Sequence, residues 1–219
     1  MNTLLARLLQ SRAFVAACVV APGLWPAWPL FVTGDSSVAA DPAKYVLHHL
    51  GFTAACVLVA VLLLSPLRAI LPRWRPVLVV QRHRRFVGVS AFVYAALHVA
   101  MHFVYEGGFA TFRTDWQKPF ILVGLVAFGI LFILAATSLD RVVRALGSRR
   151  WKWLHRLVYV AAVLVLYHQI SARKVFPEQV LWLFGPLVVA ELARVGRAVV
   201  RGMGRDAGDR ALGGGSGAY

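Results

Sequence analysis

Charged residues in this chain gather into a few clusters, and long apolar runs separate the clusters. Between Arg12 and Asp35 lie 22 residues without Asp, Glu, Lys or Arg; between Lys44 and Arg68 lie 23, between Arg85 and Glu106 lie 20, and between Lys118 and Asp140 lie 21. At about 1.5 Å per residue, each run crosses a hydrocarbon core of about 30 Å as a helix. Two shorter runs follow, 16 residues between Arg156 and Arg173 and 12 between Glu178 and Glu191. Each lengthens when its flanking charges snorkel along their aliphatic stems. Lipid offers the backbone no hydrogen-bond partners, so such runs must be helical. The pattern predicts an all-α integral membrane protein, a bundle of six transmembrane helices near 14–33, 45–64, 86–105, 119–139, 152–170 and 177–193. Trp151, Trp153 and Trp182 fall where interfacial aromatics belong. The first run is too long for a signal peptide and lacks a clean small-residue cleavage site. Its Pro22, Pro26 and Pro29 kink that helix or end it.

Composition agrees. Hydrophobic residues make up 59% of the 219-residue chain and charged residues 15%, against about 25% charged in an ordinary globular protein. A disordered chain is excluded, and so is a soluble enzyme with a normal polar surface. The net charge of +15 does not point to nucleic acid, because the aromatic residues lie inside the apolar runs and not beside the arginines. It reports topology instead. Nineteen of the 24 bases fall in segments 7–12, 68–85, 141–156 and 194–210, which the six-helix reading puts on one side. Lys44, Arg113, Lys118, Arg173 and Lys174 make up the other five. The positive-inside rule then predicts both termini in the cytoplasm. Residues 1–200 read as one membrane domain, and 201–219, with its GGGSG stretch, as a flexible cytoplasmic tail.

Several chemistries have no sequence support. Cys18 and Cys56 lie in apolar runs, with no CxxC or CxxCH, so a disulfide framework, a zinc site and covalent haem attachment are unsupported. There is no GxGxxG, no GxxxxGK[ST] and no HExxH, so a flavin or nicotinamide domain would have to be another protein. Acidic residues are almost missing from the helices, which argues against an ion-coupled transporter with buried carboxylates.

The histidines carry the positive signal. Apart from His83, all seven (His48, His49, His98, His102, His155 and His168 being the others) fall within or at the ends of predicted helices, where an ionisable group is costly and a functional candidate. His98 lies 13 residues beyond Arg85 and His168 lies 12 beyond Arg156, about 20 and 18 Å from the same face along two outward-running helices. Two imidazoles at matched depth are what a bis-histidine haem requires, the porphyrin slotting between helices. His102 shares the face of His98 four residues on, so it is a second candidate ligand. His48, at the outer end of helix 2, is another. His155 sits at the inner end of helix 5, where a second haem or an electron donor would meet the membrane. It is 13 residues from His168, about 220° around an ideal helix, so the two share a face only if a bulge or kink resets the phase.

At these residues the chain resembles a known family. The stretches are Ala40-Asp41-Pro42 with His48 and Gly51, Ser65-Pro66-Leu67, Arg84-Arg85-Phe86-Val87-Gly88 leading to Leu97-His98, Thr137-Ser138, and Arg150-Trp151 through Leu154-His155 and Val158-Tyr159 to His168. In this order and spacing, over about 12–200, they resemble MsrQ (formerly YedZ), the haem-binding membrane subunit of bacterial MsrPQ methionine-sulfoxide reductase systems. More distantly they are similar to the ferric-reductase and NADPH-oxidase transmembrane domain. The resemblance implies a multi-pass protein of the bacterial inner membrane carrying one or two b-type haems on His98, His155 and His168. It implies electrons taken from the quinone pool or a cytoplasmic flavin reductase and passed to MsrP, a periplasmic molybdenum enzyme that reduces methionine sulfoxide in oxidised proteins. FMN is a further cofactor of the family. No substrate chemistry is expected in this chain itself. The wider oxidase pattern has a second helix-3 histidine 14 residues before the first. Here that position is Arg84, with His83 beside it, so an inner haem on His155 is either absent or uses His83. The alternatives are a cytochrome b subunit of another periplasmic oxidoreductase and a haem-free membrane scaffold or transporter.

Overall fold

The computed structural model describes residues 3–108, 113–173 and 176–213. Among them the chain is helical throughout, with no strand. Two short N-terminal helices, α1 (Thr3–Gln10) and α2 (Arg12–Leu24), are separated by Ser11, whose side chain accepts from the Phe14 N–H and caps α2. The single helix predicted near 14–33 is not what forms. Pro22 lies in the last turn of α2, and Pro26 and Pro29 lack the N–H a continuing helix needs. Helix α2 stops at Leu24, and a π-turn over Trp28–Val32 follows.

A one-turn helix, α3 (Ser36–Ala39), precedes the longest apolar element, α4 (Pro42–Ile70). Asp41 caps α4 by accepting from the Lys44 N–H, and Pro42 occupies the first turn, where a missing N–H costs nothing. Helix α4 is apolar on every side, as expected of a helix enclosed by others. Leu58, Leu62 and Pro66 on it are essentially inaccessible. It packs against α6 (Arg84–Tyr105) and α10 (Gln179–Gly213), while α7 (Pro119–Ala136) packs against α9 (Leu157–Ser171). Before α6 come the short helix α5 (Arg75–Val80) and a 3₁₀ turn, Gln81–His83. The outward faces of the bundle remain apolar, with Val126, Phe132, Val163 and Trp182 all exposed. Such a surface fits lipid, not water.

Among the described residues three helices qualify by length and apolarity to cross a membrane: α4, the run from α5 through α6 (Arg75–Tyr105), and α7. A fourth is α9 taken with α8 (Asp140–Leu154), from which it is bent by 47°. Several such helices in one chain make it a multi-pass membrane protein. The sequence expectation ran one helix over 152–170; the structure divides it. Helix α8 is basic and itself broken at Gly147, whose φ of 74° only glycine adopts readily. It ends at Leu154, and α9 starts afresh at Leu157. The last helix runs on past 193 to Gly213, so the backbone of 201–213 in the expected tail is helical. Lys174 and residues 214–219, which include most of the GGGSG stretch, lie outside the described residues.

Two polar contacts fix the N-terminal segment to the bundle. The Tyr94 hydroxyl on α6 donates to the Val19 carbonyl at 2.6 Å, and His49 Nε2 donates to the Pro22 carbonyl at 2.6 Å. Pro26, four residues beyond Pro22, has no N–H for the Pro22 carbonyl, which takes the Trp25 N–H and the His49 ring instead. His49 is thereby a structural residue.

Candidate functional site

His98 on α6 and His168 on α9 face one another across the bundle, their ring centres 6.2 Å apart and their planes at 79°. Each ring is held the same way. His98 Nδ1 lies 2.9 Å from the Leu47 carbonyl oxygen of α4, and His168 Nδ1 lies 2.7 Å from the Phe120 carbonyl oxygen of α7. A carbonyl only accepts, so in both rings Nδ1 carries the proton and donates, and Nε2 keeps its lone pair. Among the described residues neither Nε2 has a hydrogen-bond partner.

Glycine makes the close approach possible. Gly51 lies one turn beyond Leu47, and Gly124 one turn beyond Phe120. A Cβ on Gly51 would come within 2.8 Å of His98 Nδ1 and Cε1, and one on Gly124 within 2.8 Å of His168 Nδ1. The two histidines therefore sit in matching cradles, each built from a carbonyl at one position and a glycine four residues later. Sequence reasoning assigned Leu47, Phe120 and Gly124 no part, and it used Gly51 only as a marker of resemblance. The available signal was that a glycine inside an apolar helix costs about 1 kcal/mol relative to alanine, and so usually has a packing reason.

A cavity of about 440 Å³ runs past the two rings and opens at one end of the bundle, within the usual range of cofactor pockets, about 300–1,000 Å³. Leu58, Ala127 and Leu131 line its floor; Lys44, Glu106, Asp115, Lys118 and Arg173 line its mouth. His48 and His102 also line it. His83 and His155 do not. His83 ends the 3₁₀ turn at the opposite end of α6, 15 residues before His98. His155 caps the C-terminus of α8 at the bend, its ring 3.9 Å from that of Trp151 and its Nε2 3.4 Å from Thr137 Oγ1. The structure thus brings His48, His98, His102 and His168 to one cavity and leaves His83 and His155 at the far end. There Arg85 donates to Asp140 at 2.6 Å, joining α6 to α8.

The donor set suits haem. Metal–imidazole bonds run about 2.0 Å, so with about 1.1 Å from nitrogen to ring centre on each side a metal held between two imidazoles sets their centres about 6.2 Å apart; the observed separation is 6.2 Å. Histidines that ligate metal almost always donate their other N–H to a carbonyl or carboxylate, as both do here. Among the described residues no three His, Cys, Asp or Glu side chains cluster, so a metal held by protein ligands alone finds no site there. A porphyrin supplies the iron's other four nitrogens and needs only two.

Comparison with known proteins gives the family. Residues 50–166, which contain His98 and His155 and end two residues short of His168, match the family described as ferric reductase like transmembrane component. The chain is 33% identical over 167 residues to the protein-methionine-sulfoxide reductase heme-binding subunit MsrQ of Cronobacter sakazakii, covering 74% of this chain and 81% of that one. It is 35% identical over 164 residues to the MsrQ of Herminiimonas arsenicoxydans, covering 74% and 71%. With the MsrQ of Brucella anthropi it shares 34% over 175 residues, covering 73% and 77%. Over this length, and with its apolar helices in the matched region, the chain belongs to the MsrQ family.

Proposed function

We propose that this protein is the haem-carrying membrane subunit of a methionine-sulfoxide reductase system, passing electrons across the bacterial inner membrane to a periplasmic MsrP-type molybdoenzyme. One observation carries the reading: two imidazoles 6.2 Å apart, each with Nδ1 committed to a helix carbonyl and Nε2 left to bind iron. The names of the relatives, heme-binding subunits of protein-methionine-sulfoxide reductase, support it.

Bound between His98 and His168, haem supplies a one-electron carrier. The protein does the rest. The Leu47 and Phe120 carbonyls select the tautomer that presents Nε2 and make each imidazole a stronger donor. Leu58, Ala127 and Leu131 keep water from the inner face of the cavity. The bases at its mouth favour an anionic edge. Six spans, the first broken at its prolines, with both termini in the cytoplasm would put that mouth on the periplasmic side, where the acceptor docks. At the other end His155, with Trp151, Thr137 and the nearby Arg84 and Arg85, belongs to the electron-input side. There it would hold an inner haem, with or without His83, or lie beside the quinol or flavin that donates. FMN, where bound, fits this basic end, since guanidinium groups recognise phosphate.

The test is the visible spectrum of the purified protein. Wild type should show a low-spin bis-histidine Soret and α-band. His98→Ala and His168→Ala should each lose or convert it, and His102→Ala should keep it. A full wild-type spectrum in His98→Ala with loss in His102→Ala would refute the ligand pair, and wild-type protein without haem would refute the function.

A further inference from the structure

The cavity mouth carries three bases, Lys44, Lys118 and Arg173, and they are not equivalent. Lys118 is spoken for, its Nζ lying 2.7 Å from an Asp115 carboxylate oxygen. Lys44 and Arg173 pair with no carboxylate among the described residues. Both lie close enough to the His48 ring to act on it electrostatically. Arg173 is steadied by the Gln179 carboxamide, whose oxygen, turned toward it, accepts from the guanidinium at 2.8 Å. That bond leaves other N–H donors of its five free. Both are exposed and share the mouth with the Glu106 and Asp115 carboxylates, of which Asp115 is taken by Lys118; among the described residues Lys44 and Arg173 are thus the two mouth bases with donors left for a negative ligand.

The two bases also flank the two histidine cradles. Lys44 lies three residues before Leu47, whose carbonyl holds His98, and Arg173 lies five residues after His168. A ligand whose centre lies between the two rings and whose edge reaches the mouth therefore meets one base from each side. Such a ligand is flat and apolar at its centre and carries two anionic groups on one edge.

We propose that Lys44 and Arg173 form a carboxylate clamp for the two propionates of the haem held by His98 and His168. This rests on the haem reading above and adds how the macrocycle is oriented: propionate edge toward the mouth, apolar edge toward Leu58 and Leu131. The clamp contributes to haem retention and raises the haem's midpoint potential, because positive charge near the propionates offsets the negative charge that would otherwise favour ferric iron.

The test uses detergent-purified full-length protein, comparing wild type with Lys44→Gln, Arg173→Gln and the double variant, and with Arg113→Gln as a base removed from the same side but away from the cavity. Haem transfer to excess apomyoglobin should speed up about tenfold in each single variant, a factor set by the loss of one charge-assisted hydrogen bond. The midpoint potential should fall and the bis-histidine spectrum should persist. Arg113→Gln should match wild type. In a second arm, full-length apoprotein from haem-deficient cells is titrated with haem and with haem dimethyl ester, whose propionates are capped. The variants should bind the ester as wild type does, since it has no carboxylate to lose. Wild-type transfer rates and potential in the double variant, as expected if the two bases bind lipid phosphate instead, would overturn the clamp while leaving the haem reading intact. An equal loss of affinity for haem and for its ester would overturn it too. Wild-type protein without haem would overturn both.

Discussion

The cradle around His168 makes a sharp prediction for Gly124→Ala. The added Cβ would stand 2.8 Å from Nδ1 and 2.9 Å from Cε1, where ordinary contact begins at 3.4 Å, so ring or helix must yield by about 0.6 Å at least. The ring has little freedom to do so, because its Nδ1 is tied to Phe120 at 2.7 Å and, in the proposed ligation, its Nε2 would be committed to iron. Overpacking of this kind costs about 1–3 kcal/mol. Alanine in place of a helical glycine returns about 1 kcal/mol, so the fold itself should lose at most about 2 kcal/mol. The burden falls on ligation, where disturbing the partner of a metal-bound histidine typically costs about 10–100-fold in affinity. Gly124→Ala should therefore accumulate in membranes with wild-type helix content but reduced haem, and Gly51→Ala should do the same through His98. Gly129→Ala is the control, on the same helix with nothing within 4 Å of its would-be Cβ; it should keep its haem. Pyridine-haemochrome assay against protein concentration measures occupancy. Full occupancy and an unshifted Soret band in Gly124→Ala would refute the cradle argument.

Three further outcomes are expected. A reporter active only in the periplasm should work when fused near Gly108 and fail near Gly147; the reverse pattern would overturn the electron route along with the topology. His155→Ala should slow reduction of the bound haem by quinol or by a flavin reductase in stopped-flow at equal occupancy, with the bis-histidine spectrum kept; wild-type rates with both donors would remove His155 from the path. The hydrogen bond and charge of Arg85 hold the Asp140 carboxyl below its usual 3.8, so the tie between α6 and α8 is present above that range and lost as pH falls through the lower folded value. Thermal unfolding of wild type against Asp140→Asn should show a small difference at neutral pH, small because the pair is solvent-exposed, and none in strong acid; a difference that grew on acidification would contradict the assignment.

The apolar runs by themselves determined that the chain is helical and belongs in a membrane, because only a helix satisfies the backbone in lipid and the runs have the length to cross it. Counting residues from the basic clusters likewise put His98 and His168 at similar heights, since rise per residue is constant along a helix. Where helices break was less legible. Three prolines marked trouble in the first run without saying that α2 would stop at Leu24, and nothing in Leu154-His155-Arg156 announced a 47° bend. What no periodicity could settle was which rings meet. Rotation of α6 and α9 about their axes is set by what they pack against, and here that is a glycine on α4 and a glycine on α7 that let each imidazole reach a carbonyl. The same packing admits His48 and His102 to the cavity and leaves His155 at the other end of the bundle, distinctions that depend on contacts between residues dozens of positions apart. Equally, Lys44 and Arg173 counted in the sequence only toward topology. That neither pairs with a carboxylate among the described residues is a property of the assembled bundle, because a charge is paired or unpaired only by what the fold places next to it.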